Sequence, residues 1–414
     1  MGFFKRKKNS IEKKRLDTTH EIVCLYCFRD FAHDRVMFRA LAGLDADGYE
    51  ARCDVVLDEY RDRFGMGSAG ELPVALDPDE FNEVSKSYFR GVLSSLTDDY
   101  GNVTTQRICP FCHNSLPQSA GFAPSTVISV VGASQAGKSV YLTSLIHTLK
   151  TITPRNFPVF CTPINNEMGR RFKFEYEDPL IEHGMLLDPT QKEKQQEPFI
   201  FTFSFADESK PEINIAFFDV AGEGLVDTNY MDIYAAHIRN SGGILFLVDP
   251  LQFRAVGRKI RLKNALDLEL DYSDEPAEVL SGLVEDYIYK QGGGVSDAPA
   301  AVVLTKTDLL EALQNDGEYL SENSRIFTNF THRQFFNLRE FNEINDETEA
   351  FISEIDPNFR NALKRRFANL GFFAVSALGT RPESGRVVSF SPVRVDEPFL
   401  WILHKLGYID GNEN

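Results

Sequence analysis

The sequence predicts an α/β protein: a mostly parallel sheet covered by helices on both faces, with one antiparallel hairpin, behind a small cysteine-bearing module. Three observations predict it. From Thr126 onward, short apolar runs of strand length alternate with helical stretches. A glycine-rich turn joins the first of those strands to the first helix. Two C-x-x-C pairs stand ahead of the alternation, in a region of different texture.

The elements follow in order. Residues 1–20 form a polar tail with Lys5, Arg6, Lys7, Lys8, Lys13, Lys14 and Arg15. Such a tail reads as solvated and disordered, or as a contact for an acidic lipid or RNA surface. Residues 21–123 carry both cysteine pairs, and "PQSAGFAPS" at 117–125 reads as a connector. The third region is 124–414. "TVISVV" (126–131) is a β-branched strand, and "KSVYLTSLIHTLK" (138–150) is the helix after it. The stretch 152–197 reads as irregular, polar and rich in proline and charge.

"FIFTFSF" (199–205) alternates aromatic and smaller residues at period two, as a strand does, and "EINIAFF" (212–218) is a second strand. Only "ADESKP" separates them, too few residues for a crossover helix, so the pair is expected to be antiparallel. "GGILFLVD" (242–249), "AAVVLT" (300–305) and "GFFAVS" (371–376) are buried parallel strands. In "AEVLSGLVEDYIYK", Val279, Leu280, Leu283, Val284 and Ile288 make one apolar helical stripe. The stretch 309–370 is long and rich in phenylalanine, which fits an enlarged helical core or a docking surface.

Composition narrows the classes. A net charge of −17 over 414 residues disfavours nucleic acid and anionic membrane as partners of the chain as a whole. No apolar run reaches the ~18 residues of a membrane span. The first residues lack the apolar core of a secretory signal, and Arg6 stands where a myristoylation pattern calls for Ser or Thr. A cytoplasmic location is therefore expected.

The turn is "GASQAGKS", Gly132, Ala133, Ser134, Gln135, Ala136, Gly137, Lys138 and Ser139, with Val140 continuing the helix. It fits G-x-x-x-x-G-K-[ST] between a strand and a helix, the context that a phosphate loop requires. The glycines permit a tight turn with N–H groups near phosphate oxygens. The helix amino terminus adds partial positive charge. Lys138 would neutralise β- and γ-phosphates, and Ser139 would offer its hydroxyl to Mg²⁺. The expected fold is thus the three-layer fold of P-loop NTPases.

Three further stretches follow in order. "FFDVAGEG" ends a strand with Asp219, then Gly222 and Glu223; "TKTD" is Thr305, Lys306, Thr307 and Asp308; "SAL" is Ser376, Ala377 and Leu378. A carboxylate such as Asp308 accepts from both donors on the guanine edge, a pair that adenine lacks. Lys306 can lay its methylene stem over a base. Asp308 also suits a simple helix cap before "LLEALQ".

These four motifs in order, with the hairpin, resemble the translation-factor-related (TRAFAC) class of GTPases over residues 126–410. The resemblance implies that Asp219 meets Mg²⁺ through water, that the Gly222 N–H meets the γ-phosphate, and that the Ser376–Leu378 backbone meets the guanine oxygen. It implies a threonine ahead of the hairpin that senses Mg²⁺ and the γ-phosphate, for which Thr190 is best placed. Thr305 replaces the commoner asparagine, with an expected loss of loop bracing. Glu223 replaces a common glutamine; a carboxylate there is repelled by the γ-phosphate yet can take a proton or orient water. Candidate catalytic residues are Lys138, Glu223 and Thr190. More narrowly, the long 152–197 stretch and leading cysteine module resemble bacterial double-GTPase proteins, a family expected to act in conflict or defence systems.

Cys24-Leu-Tyr-Cys27 and Cys109-Pro-Phe-Cys112 are two knuckles, and two knuckles complete a tetrahedral Zn²⁺ site. Residues 28–108 intervene, 81 positions, so a lobe must leave and return. "CPFCH" also matches haem attachment, and either pair fits a redox dithiol. His113 is an alternative ligand. Cys53 and Cys161 read as buried or partly buried thiols.

The function expected is a conformational switch cycling between GTP and GDP with Mg²⁺, read by a protein partner. The alternatives are a nucleotide-gated interaction module with negligible turnover, or a zinc-ribbon nucleic-acid binder regulated by GTP.

Overall fold

The computed structural model describes residues 21–41, 48–63, 65–133, 135–187, 197–219, 238, 240–263, 276–283, 294–316, 319–383 and 385–413. The chain divides into two compact units. One comprises Met1–Thr126, Thr162–Asn166 and Glu193–Ala216; the other comprises Val127–Cys161, Glu167–Lys192 and Phe217–Asn414.

Among its described residues, the part of the first unit before the large sheet contains small antiparallel sheets and one α-helix. Glu21–Val23 pairs with Asp30–Ala32 around the first cysteine pair. Met37–Arg39 is the centre of a three-stranded sheet with Ala75–Leu76 and Arg107–Ile108 on its sides. Lys86–Phe89, Val92–Thr97 and Val103–Thr104 form another. The helix Val55–Arg63 turns Tyr60 inward, edge-on to Tyr26 with ring centroids 6.2 Å apart. The described residues of the 28–108 lobe therefore carry regular structure of their own. The expected connector at 117–125 is instead a packed turn. The Arg107 guanidinium donates to the carbonyls of Pro117, Gln118 and Ala120, and burying Leu116, Ala120 and Ala123 completes it. These tethers make its glycine and prolines a folded turn rather than a spacer.

The large sheet is built from β1 (Ser125–Gly132), β2 (Val159–Pro163), β3 (Phe199–Phe205), β4 (Ile213–Asp219), β5 (Ser241–Val248), β6 (Ala300–Leu304) and β7 (Leu370–Ala374). Their order is β2-β3-β4-β1-β5-β6-β7. β1, β5, β6 and β7 are mutually parallel. The connector between the sheet neighbours β3 and β4 is only residues 206–212, too short for a crossover.

Two elements, β2 and α2 (Asn166–Phe172), fall within the stretch expected to be irregular; α2 continues as a wide π-type turn over Lys173–Glu182. Alternation over five residues ending in proline is too short a signal to register. The buried Cys161, Met168, Phe172, Tyr176 and Leu180 nonetheless give the segment its apolar side.

α1 (Lys138–Thr151) follows β1 directly. After the buried strand β6, the phenylalanine-rich stretch is mostly helical: α3 (Leu338–Ile355) and α4 (Pro357–Arg366). Each helix has its stop and start written in sequence. Asn337 accepts the Glu340 N–H at 2.9 Å, and Asp356 accepts the Phe359 N–H at 2.9 Å with Pro357 at the first helical position. Phe336, Phe341, Phe351 and Phe359 are buried, whereas Phe335 is exposed, so this stretch is chiefly core. α5 (Glu397–Lys405) adds Trp401, whose ring meets Phe341 and Phe373 at centroid distances of 5.9 and 5.6 Å. Burying one such side chain stabilises by roughly 1.5–3 kcal/mol. The consequence for function is alignment. Gly132 lies opposite Leu247, Val248 opposite Leu304, and Leu304 opposite Ala374, so the carboxyl ends of β1, β5, β6 and β7 come level.

Candidate functional site

Ligands of open α/β sheets sit outside the carboxyl ends of the strands. Four loops leave that edge here, and they touch one another. The turn after β1 carries Lys138, whose Nζ folds back to donate to the Gly132 and Ala133 carbonyls at 2.9 and 2.8 Å. Gly137 is in the left-handed region at φ +82°, open space surrounding any Cβ except for the Lys306 Cε at 3.9 Å. Gly132 has a different reason to be glycine: a Cβ there would come within 2.6 Å of the Leu247 carbonyl oxygen, so β5 itself forbids a side chain. The amino terminus of α1 follows this turn directly, with Gly137 as its cap residue. Val140 and Ser139 are half-buried at its start.

The turn after β6 braces the first. The Thr305 hydroxyl lies 3.2 Å from both the Ala136 and Val248 carbonyl oxygens. The loss of bracing expected from having threonine in place of asparagine is thus not what the contacts show: the hydroxyl reaches the same loop. Lys306, at φ +53°, extends its Nζ to the Gln135 carbonyl at 3.0 Å and to Asp249 Oδ2 at 2.5 Å. Asp249, directly after β5, accepts the Leu251 N–H on its other oxygen at 2.8 Å. Asp308 Oδ1 accepts from the Ser376 hydroxyl at 2.6 Å, which in turn accepts the Gly379 N–H at 3.0 Å. The Ala377 carbonyl accepts from the Ser144 hydroxyl of α1 at 2.7 Å, and the Leu378 carbonyl accepts the Ser391 N–H at 2.9 Å. The described residues of the turns at 132–139, 305–308 and 376–378 are therefore linked to one another by hydrogen bonds. Asp249 is the member that sequence reasoning missed; with Gln252 three residues on it has the spacing of a capping box, which announces a helical turn and not a tie to Lys306.

Ser134, Thr190, Gly222 and Glu223 lie outside the described residues. Asp219 closes β4, and only its backbone is described.

The cysteine pairs make a second candidate site, in the first unit. The four Sγ atoms of Cys24, Cys27, Cys109 and Cys112 all lie within 4.8 Å of one another. Cys24 and Cys112 are 3.6 Å apart, and Cys27 and Cys109 are 3.7 Å apart. A tetrahedron of thiolates at the zinc–sulfur distance has edges of about 3.8 Å, so the donor set could hold a zinc ion.

The two knuckles repeat one backbone design. The Cys24 N–H donates to Arg29 O and Phe28 N–H to Cys24 O; the Cys109 N–H donates to Asn114 O and His113 N–H to Cys109 O. Phe28 and His113 both take positive φ, 59° and 53°. Tyr26 and Phe111 each donate an N–H to a knuckle sulfur at 3.4 Å. Such donors offset the charge of clustered thiolates. Burial pushes the Cys24 thiol above its usual range, while hydrogen bonding with Cys109 holds Cys27 below it.

His113, an alternative ligand by sequence, points its Nδ1 at Asp54, 2.8 Å from both carboxylate oxygens. Arg39 pairs with the same carboxylate at 2.5 Å. Burial raises the Asp54 carboxyl, but these partners and the Leu57 N–H outweigh it and hold it below its usual range. Cys53 is exposed rather than buried, because its short strand Arg52–Cys53 lies open to solvent on both faces; Cys161 is buried, and burial raises its thiol.

No helix among the described residues is long and apolar enough to cross a membrane.

No protein-family model matches the chain. It is 24% identical over 326 residues, 73% of this chain and 80% of the relative, to a protein of Mycolicibacterium smegmatis described as a candidate ESX-1 scaffolding and assembly protein, SaeC. Among solved structures it is similar to the bacterial selenocysteine-specific elongation factor EF-Sec, at a TM-score of 0.28 and 12% identity over 69% of this chain. It spans 29% of that protein's length.

Proposed function

We propose that residues 124–414 form a P-loop GTPase domain, that residues 21–123 form a zinc-ribbon-like module, and that the chain is a guanine-nucleotide switch. The observation that carries this reading is the connected edge of the sheet: Lys138 folded over its own turn, with Thr305 and Lys306 tied to that turn and Asp308 tied to Ser376. In this reading one edge joins the loop that takes the phosphates to the loops that take the base.

In this reading the α1 amino terminus and turn amides bind the β- and γ-phosphates. The Lys138 ammonium exchanges its two carbonyl acceptors for phosphate oxygens. Ser139 and Thr190 would hold Mg²⁺, which when bound spreads the charge of the β- and γ-phosphates. Asp308 accepts from the guanine edge, and the Ser376–Leu378 backbone meets the guanine oxygen. In hydrolysis, a water oxygen bonds the γ-phosphorus as the bond to the β–γ bridging oxygen breaks. Glu223 orients that water or takes its proton. The four cysteines would hold Zn²⁺, which when bound ties the ends of the 28–108 lobe together.

The name of the M. smegmatis relative supports a protein partner in an assembly, and in this reading that partner responds to the nucleotide state. The same observation favours a second reading, in which nucleotide gates assembly without turnover. Single-turnover incubation of GTP with Mg²⁺ separates the two. Phosphate release that Lys138→Ala abolishes supports the switch; bound GTP left intact over hours, alone and with partner, supports the gate.

A further inference from the structure

Asp249 is nearly fully buried, its side chain 4% exposed, yet it spends one carboxylate oxygen on a lysine from another strand's loop. Lys306 is a surface-type residue on a positive-φ backbone, a conformation that non-glycine residues seldom take. Its ammonium is anchored twice, at Asp249 Oδ2 and at the Gln135 carbonyl. A lysine otherwise retains much rotamer freedom, and ordering it costs conformational entropy. The double anchor meets that cost before any ligand arrives. It leaves the four-carbon stem fixed beside Gly137, as an apolar wall at the mouth of the turn.

We propose that Asp249 is a specificity-positioning residue, which fixes the Lys306 stem as the wall against which a purine base lies. This rests on the guanine-site reading above and adds to it a residue outside all four motifs. Asp249 touches no ligand in this account and acts only through Lys306.

The geometry supplies its own control. Asp249 Oδ1 also accepts the Leu251 N–H, so Asp249→Asn keeps a carbonyl oxygen for that cap while removing the charge that holds Lys306. The experiment measures the dissociation constants of GTP and of inorganic tripolyphosphate, which carries the phosphates without a base. Asp249→Asn is expected to weaken GTP by about tenfold and tripolyphosphate by less than about twofold. In a Lys306→Met background the same change is expected to have no further effect on GTP, and Asp249→Glu is expected to restore part of the loss.

Equal weakening of both ligands would overturn the proposal, since Asp249 would then act on the turn or the fold. Unchanged GTP affinity would overturn it as well, as would a full effect of Asp249→Asn without Lys306. A wild-type protein that binds neither ligand would sink the guanine-site reading itself, whereas the other outcomes leave that reading intact.

Discussion

Glu177 shows how a single side chain holds α1. Its carboxylate meets His147 Nδ1 at 2.7 Å and Lys150 Nζ at 2.8 Å, both from the last turns of α1. Burial raises this carboxyl, but the two partners outweigh burial and bring it down to about 2. A depressed acid stabilises the fold above its unfolded value and loses that contribution as pH falls through its folded value. The window therefore runs from about pH 4.5 down to about pH 2, and the contribution is on the order of 3 kcal/mol at most. Urea unfolding of the wild type should show stability falling through that window, and Glu177→Gln should remove part of the slope; an unchanged slope would refute the assignment. Residues of this kind were not legible in sequence. Glu177, Asp54 and Asp249 each act across a fold contact; Asp54 and Asp249 also cap a local turn, a spacing that marks a helix start and not the distant partner. Lys138 and Asp308 drew notice in the sequence because the motifs that hold them fix neighbours at set offsets.

At the scale of elements, the same contrast explains what was read and what was missed. β1, β5, β6 and β7 are mostly apolar runs of strand length with most residues buried, the pattern of parallel strands covered on both faces. β2 and α2 were hidden by proline and charge. The two- and three-residue strands of the first unit were hidden because they are shorter than any period. Their positions come from hydrogen-bonded knuckles and from Arg39 and Arg107, which are buried cations at 8% and 4% exposure. If zinc completes the knuckles, it stabilises an element pair too small to hold itself. Cys109→Ser is then expected to lower zinc content from about one per chain to well below half and to lower the melting temperature of the module; elemental analysis and calorimetry read the two effects. Full metal content in the variant, or none in the wild type, would contradict the assignment.

At the scale of the molecule, four loops from strands far apart in sequence converge because parallel strands end level. Chain order alone showed that strands and helices alternate, and motif order alone showed what each loop contains. Neither could show that Thr305 reaches the Ala136 carbonyl or that Lys306 reaches Gln135, since those contacts depend on which strands are neighbours. The central claim is that this edge binds guanine nucleotide. The most direct measurement is competition against a fluorescent GTP analogue by GTP, ATP and XTP, on the wild type and Asp308→Asn. The account predicts that GTP outcompetes ATP by at least about 100-fold on the wild type, and that Asp308→Asn reverses the preference between GTP and XTP. Equal competition by ATP, or a guanine preference unmoved by Asp308→Asn, would contradict it.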